Sequence, residues 1–219
     1  MKLAVIGDVH VHMQRLETVL ERVVAEGVDG ILQVGDLTRE VTPWRKDEAA
    51  FQAAHASAER VLDAIRGLGL PVMWVPGNHD PRDLSGVGNL DGTSATLGPW
   101  RVFGIGGAGP ARFGFPYEWD EDTIRGLAIP ECDIVLSHTP PARTTLDKTA
   151  RGQHVGSEAI RELAERHTGL LVCGHIHESG GVERLNDCLM INPGGLGEPY
   201  GAARVAFVED LERAWVEEL

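Results

Sequence analysis

Cysteine is scarce in this chain. Cys132, Cys173 and Cys188 make an odd count of three in 219 residues, and no C-x-x-C occurs. That argues against a disulfide scaffold and against a thiolate zinc site; the three read as small buried apolar residues of a reducing compartment. Long apolar runs are missing too. No stretch approaches the roughly 18 residues of a membrane span. After Lys2 comes only a short apolar stretch, 3–6, in place of the long apolar core of a signal peptide. A cytoplasmic protein with no membrane partner is expected. Positive charge is also in short supply. Lys and Arg number 20 against 33 Asp and Glu, the formal net charge is -13, and no dense Lys/Arg run occurs. A protein living on long nucleic acid usually carries a basic face, so no long nucleic acid is expected as a partner. A small phosphate substrate stays compatible with the acidity, because bound metals can reverse the local field. Repeats, linkers and low-complexity tracts are absent as well, which predicts one domain over residues 1–219.

What is present is an ordinary globular composition, 42% hydrophobic and 24% charged, in a chain long enough to bury a large share of its surface. Apolar patterning predicts strands at 2–7, 29–34 and 71–75 and helices at 13–26 and 49–66. Leu16, Val19, Leu20 and Val23 share one face of the first helix; Phe51, Ala54, Ala58, Val61, Leu62 and Ile65 follow helical spacing in the second. Strands alternating with helices argue for parallel pairing through crossovers. Short strands follow at 94–97 and 100–105, around Gly98-Pro99. A Gly/Pro/aromatic loop spans 106–119, and a helix starts near Asp120. Residues 133–136 and 170–173 read as strands. Between them lie a long connection, 139–156, and a helix capped by Ser157 and running to about His167. A hairpin at 181–185 and 188–191 turns on Asn186-Asp187. Residues 203–208 and 214–218 read as a closing hairpin, the last segment also fitting a short helix.

Five polar segments follow strands directly: Asp8-Val9-His10, Gly35-Asp36, Gly77-Asn78-His79-Asp80, Ser137-His138 and Gly174-His175-Ile176-His177. Each has an ordinary reading alone. Asp8 could cap the next helix, Gly35-Asp36 could be a simple turn, the third segment a loop, and His138 a core histidine. Two nearby histidines are common. In parallel α/β sheets, however, residues past the carboxyl ends of strands gather along one edge. Five segments of Asp, Asn and His in that phase read as a pocket for two divalent metal ions. Two such ions about 3.7 Å apart repel by roughly 18 kcal/mol at an effective dielectric of 20, so an anion must bridge them; Asp36 is the candidate. Oxygen and imidazole ligands without thiolates suit Mn²⁺, which is favoured, and also Fe, Zn, Co or Ni.

The order D-x-H, G-D, G-N-H-D, H and G-H-x-H resembles the calcineurin-like metallophosphoesterase superfamily from Asp8 to His177. The resemblance implies an α/β fold, a four-layer α/β/β/α sandwich of two mixed sheets. It implies one metal on Asp8, His10, Asp36 and His177 and another on Asp36, Asn78, His138 and His175. His79 would be the non-ligand histidine facing the leaving group. Gly152 to Ser157, Gly174 to Glu178 and Ile191-Asn192-Pro193-Gly194 are similar to a single-domain branch that includes Icc-like phosphodiesterases and metallophosphoesterase-domain-containing proteins. Cleavage of small phosphodiesters, cyclic nucleotides included, is what this implies. Protein Ser/Thr phosphatases carry G-D-x-x-D-R-G and G-N-H-E instead, and the repair nucleases add segments for which no room remains.

The expected chemistry is attack by a hydroxide formed on the metals, with a proton passed to the leaving group by His79 and Asp80 helping to orient its loop. His154, in the long connection, is a candidate for binding substrate. His12 could contact substrate or simply start the helix. Arg112, Arg143 and Arg151 could bind phosphate or lie solvated on the surface. Phe113, Phe115 and Tyr117 could wall a nucleobase or pack the loop, and His55 and His167 are expected on the surface. Rival readings are a phosphomonoesterase or nuclease on the same site, and a catalytically weak nucleotide-binding regulatory module. The sign of the last would be a lost ligand or a lost His79, and none is missing.

Overall fold

The computed structural model of the chain describes residues 1–39, 47–196 and 202–219. In chain order the first elements are β1 (Leu3–Ile6), α1 (Met13–Glu26), β2 (Gly30–Gln33), α2 (Glu48–Arg66) and β3 (Val72–Trp74). Next come β4 (Ser94–Leu97), β5 (Trp100–Ile105), α3 (Glu121–Arg125), β6 (Ile134–Ser137), α4 (Glu158–Arg166) and β7 (Gly169–Val172). The chain closes with β8 (Gly181–Leu185), β9 (Cys188–Asn192), β10 (Arg204–Asp210) and β11 (Arg213–Glu218). One sheet has the order β11-β10-β1-β2-β3 and the other β4-β5-β6-β7-β9-β8. β1, β2 and β3 are parallel, as are β5, β6, β7 and β9; the remaining pairings are antiparallel. Both sheets are therefore mixed.

The period-2 alternation of strand side chains sorts residues among three cores. Ala4 and Ile6 of β1, with Val205 and Phe207 of β10, join Leu16, Val19 and Val23 of α1 and Val61, Leu62 and Ile65 of α2. Leu3 and Val5, with Ala206 and Val208, face the other way. They meet Ile134 and Leu136 of β6, Leu170 and Val172 of β7, and Leu189 and Ile191 of β9. Val135, Leu171, Cys188 and Met190 form the third core with Ile124 of α3 and Ile160 and Leu163 of α4. Three cores separate four layers, helix, sheet, sheet and helix. Strands buried on both faces read as continuous apolar runs, which is how these strands look in sequence.

Local chemistry sets the ends of the elements. Gly27 closes α1 at φ 67°, the left-handed position glycine favours. Asp47 caps α2 by accepting the Ala49 amide at 2.9 Å, and Ser157 caps α4 through Ile160 at 3.1 Å. α1 starts at His12 without a side-chain cap, so Asp8 is not a helix cap. The last segment is a strand, with Trp215 of β11 packed on Phe207 of β10 at 5.6 Å. No helix among the described residues is long and apolar enough to cross a membrane.

Candidate metal centre

The carboxyl ends of β1, β2 and β3 in one sheet and β6 and β7 in the other deliver all five polar segments to a common edge. Two groups of side chains form there, each with its ligand atoms within 4.8 Å of one another: Asp8, His10, Asp36 and His177, and Asp36, His138 and His175. Asn78 joins the second, its Oδ1 standing 2.8 Å from His138 Nε2. Asp36 belongs to both. Its Oδ2 lies 3.5 Å from His10 Nε2 and 3.6 Å from His138 Nε2, while Oδ1 accepts the His79 amide at 2.9 Å. Asp8 accepts the His175 amide at 3.1 Å and lies 3.4 Å from His177 Nε2.

Backbone strain is concentrated here. Asp8, His10, Val11, Asp36 and His175 have φ of 47°, 45°, 62°, 54° and 69°. Non-glycine residues rarely occupy this region, a β-branched valine least of all, and such strain gathers at functional sites. The sharp turns point side chains back over the strand ends. They also bring loops into close approach. A Cβ on Gly35 would lie 2.7 Å from His138 Nδ1, and one on Gly77 would collide with the Asp36 carboxylate.

The donor pattern fits a cation in each group. His10 Nδ1 faces the Thr38 carbonyl at 2.9 Å and His138 Nδ1 faces the Val34 carbonyl at 2.7 Å. Both nitrogens must donate there, which leaves a lone pair on each Nε2 of the neutral ring. The His138 lone pair points at another acceptor, the Asn78 carbonyl oxygen at 2.8 Å, while the His10 lone pair faces His177 Nε2 at 3.1 Å. Buried Asn78 Nδ2 has no hydrogen-bond partner among the described residues. A cation in each group would be held by these ring nitrogens and the Asn78 oxygen, with the backbone carbonyls behind His10 and His138 fixing their tautomers.

Burial and charge pull the ionisable groups apart. Burial raises the Asp8 carboxyl, yet His177 outweighs it and holds Asp8 below 3.8. Asp36 is likewise lowered, with His138, His79 and His10 overcoming its burial. Burial presses His10 below 6.5, and presses His175 to about 3 with His138 assisting. Burial also depresses His177, but Asp8 and Asp36 prevail and raise it above 6.5. A histidine with a lowered folded pKa gives stability that is lost as pH falls below its unfolded value. One with a raised pKa gives stability that is lost as pH rises through its folded value. The chelated, metal-free protein should therefore melt highest near pH 6.5. It weakens in acid as His10 and His175 favour the unfolded chain, and in mild alkali as His177 loses its proton. Saturating Mn²⁺ should abolish the alkaline decline, since ligands bind metal deprotonated. Thermal melts from about pH 5 to 8.5 check this; a chelated protein whose melting temperature keeps rising to the alkaline end would contradict it.

Buried polar side chains that spacing did not single out hold the loops. Gln33 both donates to the Gly35 carbonyl at 2.7 Å and accepts its amide at 2.9 Å. Asn192 accepts the Gly194 amide at 2.8 Å and donates toward the carbonyls of Gly174 and Ile176, which frame His175. Each is a polar residue at the end of an apolar strand, the one signal the sequence offered. Asp80, expected in the catalytic group, is fully buried and accepts three amides, Gly77 at 2.7 Å, Thr38 at 2.8 Å and Leu37 at 3.2 Å. Its carboxylate ties the turn after β2 to the turn after β3.

His79 stands at the site, its ring 5.0 Å from that of His10 and 4.6 Å from Phe115. His154 instead pairs with Asp147 at 2.7 Å, the buried carboxylate that gathers the amides of Arg143, Thr144 and Gly156. It does not line the cavity beside His175, whereas Thr149 and Val155 do. His12 meets Arg39 at 3.3 Å. Arg143 pairs with Glu158 on the surface, and Arg151 is exposed. Tyr117 is buried and donates to Asp91 at 2.7 Å, so it packs the loop. His55 pairs with Asp83 at 3.2 Å. His167, expected on the surface, is half-buried at the end of α4, where it contacts the backbone of Asp133 and Leu170.

Comparison with known proteins agrees with this layout. A protein of Methanocaldococcus jannaschii, described as "Uncharacterized protein MJ1162", is 30% identical over 139 residues, 57% of this chain and 64% of that protein. The match thus spans less than two thirds of that relative. Among solved structures, TT1561 of Thermus thermophilus superposes with a TM-score of 0.65 at 21% identity, covering 99% of this chain and 98% of that one. A structure described as a dimetal phosphatase from Danio rerio superposes at 0.63 with 15% identity, covering 94% and 91%. At these identities the likeness is one of fold. The sequence model of the calcineurin-like phosphoesterases matches residues 1–179, well over half of the chain. On that match, with the sheets and side-chain clusters in place, the chain belongs to the calcineurin-like phosphoesterase family.

Proposed function

We propose that this chain, acting as one domain, is a dinuclear-metal phosphodiesterase that hydrolyses small phosphodiesters such as cyclic nucleotides. The observation that carries the reading is Asp36 Oδ2, a single carboxylate oxygen facing His10 Nε2 at 3.5 Å and His138 Nε2 at 3.6 Å. Asp8, His10, Asp36 and His177 would hold one ion; Asp36, Asn78, His138 and His175 the other. Two divalent ions held there, Mn²⁺ favoured, would supply a hydroxide near neutral pH and positive charge to offset a phosphoryl group under displacement. Asp36 offsets the repulsion between the ions. Asp8 fixes the His175 backbone and, with Asp36, leaves the ion pair with an excess positive charge of two. A hydroxide and a diester monoanion together would neutralise that excess, which suits turnover of a diester; a monoester dianion would neutralise it alone, and so can also bind. His79 would pass a proton to the departing alkoxide, and Asp80 fixes the loop that presents it.

The test is a substrate panel with saturating Mn²⁺: bis-p-nitrophenyl phosphate, p-nitrophenyl phosphate, 2′,3′-cAMP, 3′,5′-cAMP, and single-stranded and duplex DNA. Small diesters should turn over fastest. Duplex DNA should be cut weakly or not at all at physiological salt, because a chain with net charge -13 and no basic run lacks the cations that neutralise a phosphate track. Efficient processive digestion of duplex DNA would overturn the reading.

A further inference from the structure

A cavity of about 230 Å³ opens directly on His175, walled by Pro110, Phe113, Phe115, Val155 and Ile176. The walls are mostly apolar, although the neighbouring group is among the most polar in the protein. The cavity is smaller than the roughly 300–1,000 Å³ of a pocket for a drug-sized ligand, so it suits one ring system. Phe115 also touches the ring of His79 at 4.6 Å and lies 5.9 Å from Phe113. Phe113 is 80% exposed, a cost in water that an occupant would relieve.

The loop bearing both rings is held from inside. The Glu118 carboxylate accepts four successive amides: Arg112 at 3.3 Å, Phe113 at 3.1 Å, Gly114 at 2.6 Å and Phe115 at 3.0 Å. Such a clamp fixes the loop's conformation, so a ligand meeting its two rings costs them less freedom on binding. We propose that this cavity is the subsite for the organic group of the ester, and that it takes a flat aromatic or heteroaromatic ring. The inference rests on the phosphoester reading above and adds the class of alcohol to it. A ring in this cavity meets apolar walls and aromatic faces, while the phosphoryl group lies toward His175.

The test is calorimetric binding to the Mn²⁺-loaded protein of two ligand pairs that differ only in the organic group: AMP against ribose 5-phosphate, and phenyl phosphate against methyl phosphate. Stacking of a base on an aromatic side chain should make the ring-bearing member of a pair roughly 5- to 150-fold tighter. A gain in both pairs supports the subsite; a gain for AMP alone supports it for a nucleobase, and for phenyl phosphate alone for a simple aryl ring. Phe113→Ala, at an exposed site that folding does not need, and Phe115→Ala should each bring the ratio toward one. Equal affinities within both wild-type pairs would overturn the subsite and leave the phosphoester reading standing. No binding of any of the four would overturn both.

Discussion

Asp36→Asn is expected to lose at least one of its two metal ions and nearly all turnover. The substitution keeps the shape of the side chain and an oxygen for the His79 amide, so the loops should still form. What it removes is the charge between the two clusters. Asp36 is 1% exposed and faces both His10 and His138. Removing one partner of a buried charge pair costs about 3–5 kcal/mol, which is about 10²- to 4 × 10³-fold in an equilibrium constant. Here two divalent ions, repelling by roughly 18 kcal/mol at an effective dielectric of 20, lose their shared anion. Turnover of bis-p-nitrophenyl phosphate at saturating Mn²⁺ is the readout, with a melt in chelator to show that the variant folds. A folded variant with near wild-type turnover would remove Asp36 from the bridging position.

His79→Ala should keep both metals and lose activity according to the leaving group. An alkoxide departs badly without a proton, whereas p-nitrophenolate departs readily, so a general acid matters for the first and hardly for the second. The loss should be about 10²- to 10⁴-fold on a ribose diester and small on a p-nitrophenyl diester. His175→Ala should damage both substrates alike, because it weakens the site that holds the phosphoryl group. The measurement is kcat/KM on both substrates with metal content checked in each variant. Equal losses in His79→Ala would withdraw the acid role and leave positioning.

The clustering of these side chains was legible because topology, not local sequence, brings them together, and topology leaves a mark. Asp8, Asp36, Asn78, His138 and His175 each follow an apolar run ending a strand, and strands buried on both faces are easy to recognise. The layers were legible for the same reason: Leu3 and Val5 face one core while Ala4 and Ile6 face another. Polar side chains that serve the backbone were harder to read. The sequence suggested that Asp80 orients its loop, but not that it does so by accepting three amides from two turns. His154 looked available until the fold paired it with Asp147. Gln33, Asn192 and Glu118 find their partners only once the turns exist. The positive φ of Asp8, His10, Asp36 and His175 carries no residue-type signal, since none of the four is glycine. The closing segment Arg213–Glu218 fitted both periods, and packing of Trp215 on Phe207 decided for the strand.

The most direct measurement is a count of metal by elemental analysis, wild type beside Asp36→Asn, after loading with Mn²⁺ and removal of excess. Two clusters sharing one carboxylate predict two ions per chain in the wild type and at most one in the variant. A wild type that holds fewer than two ions, or a variant that still holds two, would contradict a dinuclear centre bridged by Asp36.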